Sequence, residues 1–194
     1  MSTKRKGEWT GCYSGKKFWV LDPRPEEVTL EDIAHPLSNI CRFNGHTKFF
    51  YSVAQHSLGV YSLLRQAGLS PVIQLKGLLH DASEAYFCDM PKPIKPLIPT
   101  YKDIEAKLEI AIYEHFGLSS QTEEEHYWIK MADNIMLTNE ARALMINIDD
   151  WNLMPLTSKS QKIPIKREWR FVVKHRFIRL CKKLIKEVYK NVSL

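Results

Sequence analysis

Apolar residues recur every three or four positions through almost the whole of this 194-residue chain, and that spacing aligns them along one face of an α-helix. Strand-type alternation is scarce, apart from a short apolar run at residues 18–21. The pattern predicts an all-α fold, a helical bundle to which the short run adds at most a small N-terminal β-hairpin. Because the length is that of one domain, residues 1–194 are predicted to form a single domain.

Prolines, glycines and capping residues predict where the helices begin and end. Residues 1–28 are predicted to form an N-terminal extension or hairpin, and residues 150–164 a loop. Four prolines within residues 91–99 exclude a helix there and predict a stiff loop. A basic helix is predicted over residues 165–190. The other helices are predicted to begin near Thr29, Ser52, Pro71, Thr100 and Thr122, and Pro36 to kink or interrupt the first of them.

The net charge of +6 conceals an uneven distribution along the chain. From Lys159 to Leu194 there are 12 Lys or Arg against two Glu, a local balance of +10, so the preceding residues sum to −4. A uniformly basic protein would suggest nucleic acid as a partner, whereas this chain has a basic C-terminal element on a mildly acidic body. The charge pattern therefore makes nucleic acid an unlikely partner without excluding it.

The sequence also predicts the compartment. No apolar stretch approaches the roughly 18 residues that cross a bilayer, and no apolar segment follows the basic residues at the N-terminus. We therefore expect neither a membrane span nor a signal peptide. The four cysteines lie far apart with no CxxC pair, which is typical of reduced thiols. The predicted location is the cytoplasm.

Four polar side chains occupy or adjoin apolar faces of three predicted helices. His56 lies in an aliphatic row, Asp133 lies in another, and His80 and Asp81 directly follow two leucines. A single such histidine is more often a hydrogen-bonded core residue, and a single such aspartate an ion-pair partner. Four of them favour a shared metal ion, because bundles build metal sites from facing side chains and buried carboxylates need a partner. Two imidazoles and two carboxylates suit Mn, Fe, Co, Ni or Zn.

Three spaced motifs contain these residues. VAQHS includes His56, LLHDASEAY includes His80 and Asp81, and KMADNIM includes Asp133. Together they resemble the HD-domain metal-dependent phosphohydrolases. HDASE followed by DMPKPIK resembles the branch with bacterial 5′-deoxynucleotidases and phage dATP triphosphohydrolases, and the segment from YSGKKFW to VAQHS resembles small phage and prophage members of it. The resemblance covers residues 13–150.

The resemblance implies functional roles for individual residues. Four would bind one divalent metal ion (Co, Mn, Zn, Fe, Ni or Mg), two acids would act in catalysis, and three residues would bind the phosphate or nucleoside of the substrate. Which acid activates the attacking water stays open. The predicted metal ligands are His56, His80, Asp81 and Asp133, the predicted catalytic acids are Glu84 and Asp89, and the predicted substrate-binding residues are Arg42, Phe43 and Lys95.

These assignments predict a metal-dependent nucleotide phosphohydrolase acting on deoxynucleotides, either a 5′-deoxynucleoside monophosphate phosphatase or a dNTP or dATP triphosphohydrolase. Phosphate ester hydrolysis needs positive charge at the phosphate oxygens, a positioned water and a proton for the leaving oxygen. Two alternatives stay open: a nucleic-acid-binding protein that uses the basic C-terminal helix, and a nucleotide sensor without turnover. The resemblance further implies a homo-oligomer, either a dimer or a hexamer.

Overall fold

The computed structural model describes residues 5–91 and 93–190, so both ends of the predicted domain and Lys92 lie outside the described residues. Within the described part there are six α-helices and one two-stranded antiparallel sheet, which confirms the predicted all-α fold with a small N-terminal hairpin. The helices are α1 Leu30–Asn39, α2 Val53–Gln66, α3 Pro71–Leu79, α4 Pro99–His115, α5 Glu123–Leu144 and α6 Arg170–Lys190, and the strands are β1 Thr10–Gly11 and β2 Lys17–Phe18.

The helix ends follow local chemistry. Thr29, Ser52 and Thr122 each accept a hydrogen bond from the backbone N–H three residues ahead and thereby cap α1, α2 and α5. Gly68 and Gly117 follow α2 and α4 with φ of +74° and +63°, a conformation that costs glycine little. These boundaries were predictable because each depends on neighbouring residues only.

Two predictions about prolines are wrong in part. Pro36 was predicted to kink or interrupt α1, and it does not interrupt the helix, which continues to Asn39. One lost backbone hydrogen bond is tolerated here because the buried Leu37 holds the last turn against the core. The predicted loop over residues 91–99 contains a 3₁₀ turn at Lys95–Leu97 and ends in helix. Pro99 occupies the first turn of α4, where a missing N–H costs nothing.

The last helix begins at Arg170 and not at residue 165 as predicted. Ile165 packs against the hydrophobic cluster between α2 and α5, and the backbone oxygen of Lys166 accepts a hydrogen bond of 3.0 Å from the Gln55 side chain. These contacts with distant helices keep residues 165–169 out of the helix. The apolar periodicity of the sequence therefore begins before the helix itself begins.

The helix α2 is the centre of the bundle. Eleven of its 14 residues are buried, so it packs on several sides. A Cβ on Gly59 would clash with Met136 of α5, and one on Gly77 of α3 would clash with Leu64 of α2. Because α2 touches both α3 and α5 so closely, a side chain on α2 can meet functional groups from both neighbours.

Two further observations concern the cysteines and the hydropathy of the helices. All four cysteines carry free thiols. Among the residues that the structure describes, none of the helices combines the length and hydropathy that a bilayer-spanning segment needs.

Candidate metal centre

The imidazole of His56, fully buried in α2, is surrounded by the other three predicted metal ligands. Its Nε2 lies 3.3 Å from His80 Nε2 and 3.6 Å from Asp81 Oδ2. Asp133 Oδ1, from α5, lies 3.3 Å from the same nitrogen. The structure thus brings the predicted ligands together around one atom. Among the described residues, His56, His80 and Asp81 have ligand atoms all within 4.8 Å of one another, and Asp133 falls outside that group although it lies close to His56.

The end of α3 explains how two consecutive residues face the same point. Neighbouring side chains in an α-helix point about 100° apart. The helix ends at Leu79, and a 3₁₀ turn follows at Ala82–Ala85. Between them the backbone leaves the helical conformation at Asp81, with φ −101° and ψ 15°. His80 and Asp81 both approach His56 as a result, and their Nε2 and Oδ2 atoms lie 3.2 Å apart.

The hydrogen bonds that Nδ1 of each imidazole makes leave Nε2 available to bind a metal ion. His56 Nδ1 lies 2.8 Å from Glu140 Oε1, and His80 Nδ1 lies 2.9 Å from the backbone oxygen of Gly77. In a neutral ring these acceptors hold the proton on Nδ1 and leave a lone pair on Nε2. Asp133 Oδ2 already pairs with Lys130 Nζ at 2.7 Å, so His56, His80 and Asp81 are the groups that would share a proton or a cation. Atoms that share one ion at about 2.1 Å lie about 3.0–3.4 Å apart, close to the 3.2–3.6 Å that separate the ligand atoms of His56, His80 and Asp81.

The electrostatics of the cluster favour a positive charge at His56. Burial and the nearby Arg42 lower the pKa of this imidazole, but Glu140 and Asp133 more than offset them and raise it to about 9. Burial alone would raise the pKa of the Asp81 and Asp133 carboxyls, but the facing imidazoles lower both. Without a metal ion, a proton on His56 therefore takes the cation's place.

Metal binding is consequently expected to be coupled to proton release. An incoming Mn²⁺ must displace the proton on His56, so its dissociation constant should fall about tenfold per pH unit up to about pH 9, the pKa of His56, and level off above it. Isothermal titration calorimetry in buffers of different ionisation enthalpy measures both the affinity and the proton count. An affinity that does not change between pH 6.5 and 9 contradicts this assignment.

Arg42 adjoins the cluster and faces three carboxylates, those of Asp81, Asp89 and Glu140. Its Nε and Nη2 donate to Glu140 Oε2 at 3.4 and 3.3 Å. Its Nη1 lies 3.6 Å from Asp89 Oδ2 and 4.0 Å from Asp81 Oδ2, which is longer than a hydrogen bond. Nη1 is therefore able to donate to a phosphate oxygen placed beside Asp81.

Two predicted catalytic acids and a lysine extend the site. Glu84 is 3% exposed, and within the described part of the chain its Oε2 has no hydrogen-bond partner. Burial, together with Asp81 and Asp89, raises the pKa of Glu84 well above its usual range. Burial also raises the pKa of Asp89. Lys95 Nζ lies 3.9 Å from Glu84 Oε1 and 3.0 Å from Glu105 Oε1, so it adjoins the acid and not the metal ligands.

An aromatic pair adjoins Arg42. Phe43 and Asn44 have φ of +52° and +50°, a region that bulky side chains avoid and that clusters at functional sites. The Phe43 ring lies 5.6 Å from Arg42 Cζ and 6.0 Å from the ring of Trp151, at an interplanar angle of 51°. Trp151 is 38% exposed. The sequence assigned it to a loop and missed its place beside the predicted site.

Glu140 is a second residue that the sequence analysis missed. It is fully buried on α5 and contacts both His56 and Arg42. It follows Asp133 by seven residues, or two helical turns, so the two carboxylates share one face of the helix. A signal was present, because a glutamate on the same face as a predicted ligand is as anomalous as the ligand itself.

The fold and this site define a class of protein: an all-α bundle with a partly buried imidazole–carboxylate cluster that could hold a metal ion. The chain is 40% identical over 144 residues to the uncharacterized protein YfdR of Escherichia coli (strain K12), a match that covers 74% of this chain and 75% of YfdR. It is also 40% identical over 118 residues to the uncharacterized protein RCAP_rcc00048 of Rhodobacter capsulatus, covering 58% of this chain and 60% of that protein. No family model matches the chain. The chain belongs to the same protein family as YfdR.

Proposed function

We propose that this protein is an HD-domain metal-dependent phosphohydrolase that releases phosphate, or a longer phosphate chain, from the 5′ position of deoxynucleotides. The observation that carries the proposal is the convergence of His80, Asp81 and Asp133 on one nitrogen of His56. A divalent ion bound there (Mn, Co, Zn, Fe, Ni or Mg) would polarise the phosphoryl group and lower the pKa of a bound water.

The chain's own residues supply the remaining chemistry. Arg42 Nη1 binds a phosphate oxygen, with Lys95 as a second cation near Glu84. Glu84 orients the attacking water, since its unpartnered Oε2 has no competing contact among the described residues. Asp89 lies beside Arg42 Nη1 and has a raised pKa, which suits an acid that gives a proton to the leaving oxygen.

The direct test is turnover. Purified protein is incubated with Mn²⁺ or Co²⁺ and a panel of deoxynucleoside mono- and triphosphates, and the products are separated. Inorganic phosphate from a monophosphate identifies a 5′-deoxynucleotidase, and tripolyphosphate from a triphosphate identifies a triphosphohydrolase. Binding of a nucleotide without turnover contradicts the proposal and favours the nucleotide-sensing alternative.

The aromatic pair supports a nucleotide over a simple phosphate ester, because bases stack on aromatic side chains. Trp151→Ala is expected to raise KM for a deoxynucleotide about tenfold with little change in kcat, since one base–aromatic stack contributes about 1–3 kcal/mol. Steady-state kinetics with the nucleotide and with deoxyribose 5-phosphate, which lacks a base, measure this. Trp151→Phe should restore most of the affinity. An equal effect on both substrates contradicts base stacking. The control variant is Trp9→Ala, because Trp9 is a half-exposed tryptophan near the N-terminus.

We further propose that the protein acts in the cytoplasm as a homo-oligomer, a dimer or a hexamer. Trp169 and Phe171, around the start of α6, are 76% and 64% exposed, and large exposed apolar side chains support a subunit contact there. Light scattering of the purified protein tests this, and a monomer at micromolar concentration contradicts it.

A further inference from the structure

One buried carboxylate bridges the two halves of the site. Glu140 Oε1 lies 2.8 Å from His56 Nδ1, and Oε2 accepts from Nε and Nη2 of Arg42 at 3.4 and 3.3 Å. The Glu140 side chain is 0% exposed and that of Arg42 is 12% exposed. A single side chain therefore joins a predicted metal ligand to the predicted phosphate-binding guanidinium.

Each oxygen of Glu140 determines the orientation of its partner. Oε1 accepts the proton of His56 Nδ1 and so keeps the lone pair of Nε2 directed at the metal site. Oε2 engages one edge of the Arg42 guanidinium, which leaves Nη1 facing Asp81 and Asp89. Without this contact Arg42 would be free to pair fully with Asp89 and would no longer offer Nη1 to a phosphate.

We propose that Glu140 is a positioning residue that prepares the metal site and the phosphate site together. The inference rests on the proposed function and deepens it, since it concerns how the same site recognises its two ligands. It assigns Glu140 no contact with substrate or metal. Its effects are transmitted through His56 on one side and Arg42 on the other.

The variant Glu140→Gln separates the effect on metal affinity, which acts through His56, from the effect on phosphate affinity, which acts through Arg42. The amide keeps one acceptor oxygen, and we expect that oxygen to face Arg42, since hydrogen bonds to a cation are the stronger ones. The amide N–H groups then face His56 Nδ1, which places the ring proton on Nε2. Calorimetry with Mn²⁺ should show a dissociation constant raised about 10–100-fold. The affinity for inorganic phosphate at saturating Mn²⁺ should stay within about threefold of the wild type, because the Arg42 contact is retained.

Glu140→Ala should weaken both ligands, each by about tenfold or more, because neither His56 nor Arg42 keeps its partner. The control is Glu125→Gln. Glu125 is a largely buried carboxylate that pairs with Lys76 Nζ at 2.7 Å, and its substitution should lower thermal stability without changing either affinity. The near-isosteric Glu140→Gln provides the measurement if Glu140→Ala does not fold.

The outcomes separate this inference from the proposed function. If wild-type protein binds Mn²⁺ and hydrolyses nucleotides, but both Glu140 variants bind Mn²⁺ and phosphate as the wild type does, Glu140 is only structural and the inference is overturned. If the Glu140 variants lose affinity as expected but the wild type turns over no nucleotide, the positioning role stands and the proposed reaction falls. A wild type that binds no Mn²⁺ overturns both.

Discussion

Asp81→Ala is expected to remove metal binding and lower kcat by about 10³-fold or more, since a catalytic metal ion supplies several kcal/mol of transition-state stabilisation. Asp81 Oδ2 lies 3.6 Å from His56 Nε2 and 3.2 Å from His80 Nε2. Its loss therefore removes the carboxylate that contacts both imidazoles. It also lies 4.0 Å from Arg42 Nη1. Calorimetry with Mn²⁺ and steady-state hydrolysis of a deoxynucleotide measure the two effects.

The control for this variant is Asp103→Asn, which removes one negative charge from the exposed face of α4 and should leave both measurements unchanged. Circular dichroism establishes that the Asp81 variant is folded. An Asp81→Ala protein that binds Mn²⁺ as tightly as the wild type would mean that the ion is held elsewhere or that Asp81 is not a ligand.

Glu84→Gln is expected to lower kcat by about 10²–10⁴-fold, the range typical of a general acid or base, with little change in Mn²⁺ affinity. Glu84 is almost fully buried and has an oxygen without a hydrogen-bond partner among the described residues. Burial and two neighbouring carboxylates raise its pKa. If Glu84 acts as the base it must ionise first, so the wild-type rate should rise with pH through this raised pKa, and the variant should lack that rise.

The thermal stability of Glu84→Gln should rise, although its kcat falls. A carboxyl whose pKa is raised in the folded protein favours folding below its unfolded pKa of 4.5, and that contribution is lost as the pH rises through the folded value. A neutral amide avoids the cost of the buried charge, so Glu84→Gln should raise Tm at neutral pH while it lowers kcat. Differential scanning calorimetry measures Tm, and a variant that loses both stability and activity would indicate a structural role instead.

The helices illustrate what was predictable from the sequence. Ser52 and Thr122 cap α2 and α5 through backbone groups only three residues away, so a short window of sequence contained the whole interaction. His56 and Asp133 were noticeable for a similar reason, because helical periodicity alone places them on apolar faces. The predicted ligands could be named, but their common position could not be derived from any one helix.

The distant contacts belong to the tertiary structure. Arg42 and Glu140 are 98 residues apart in the chain, and Trp151 reaches Phe43 from a segment without regular structure. The start of α6 likewise depends on where Ile165 packs. Local sequence determined the helices and their anomalous polar residues, because capping and periodicity act over a few positions. The packing of α2 against α3 and α5 decided which of those residues meet, because a buried charge takes the partner that the fold brings within reach.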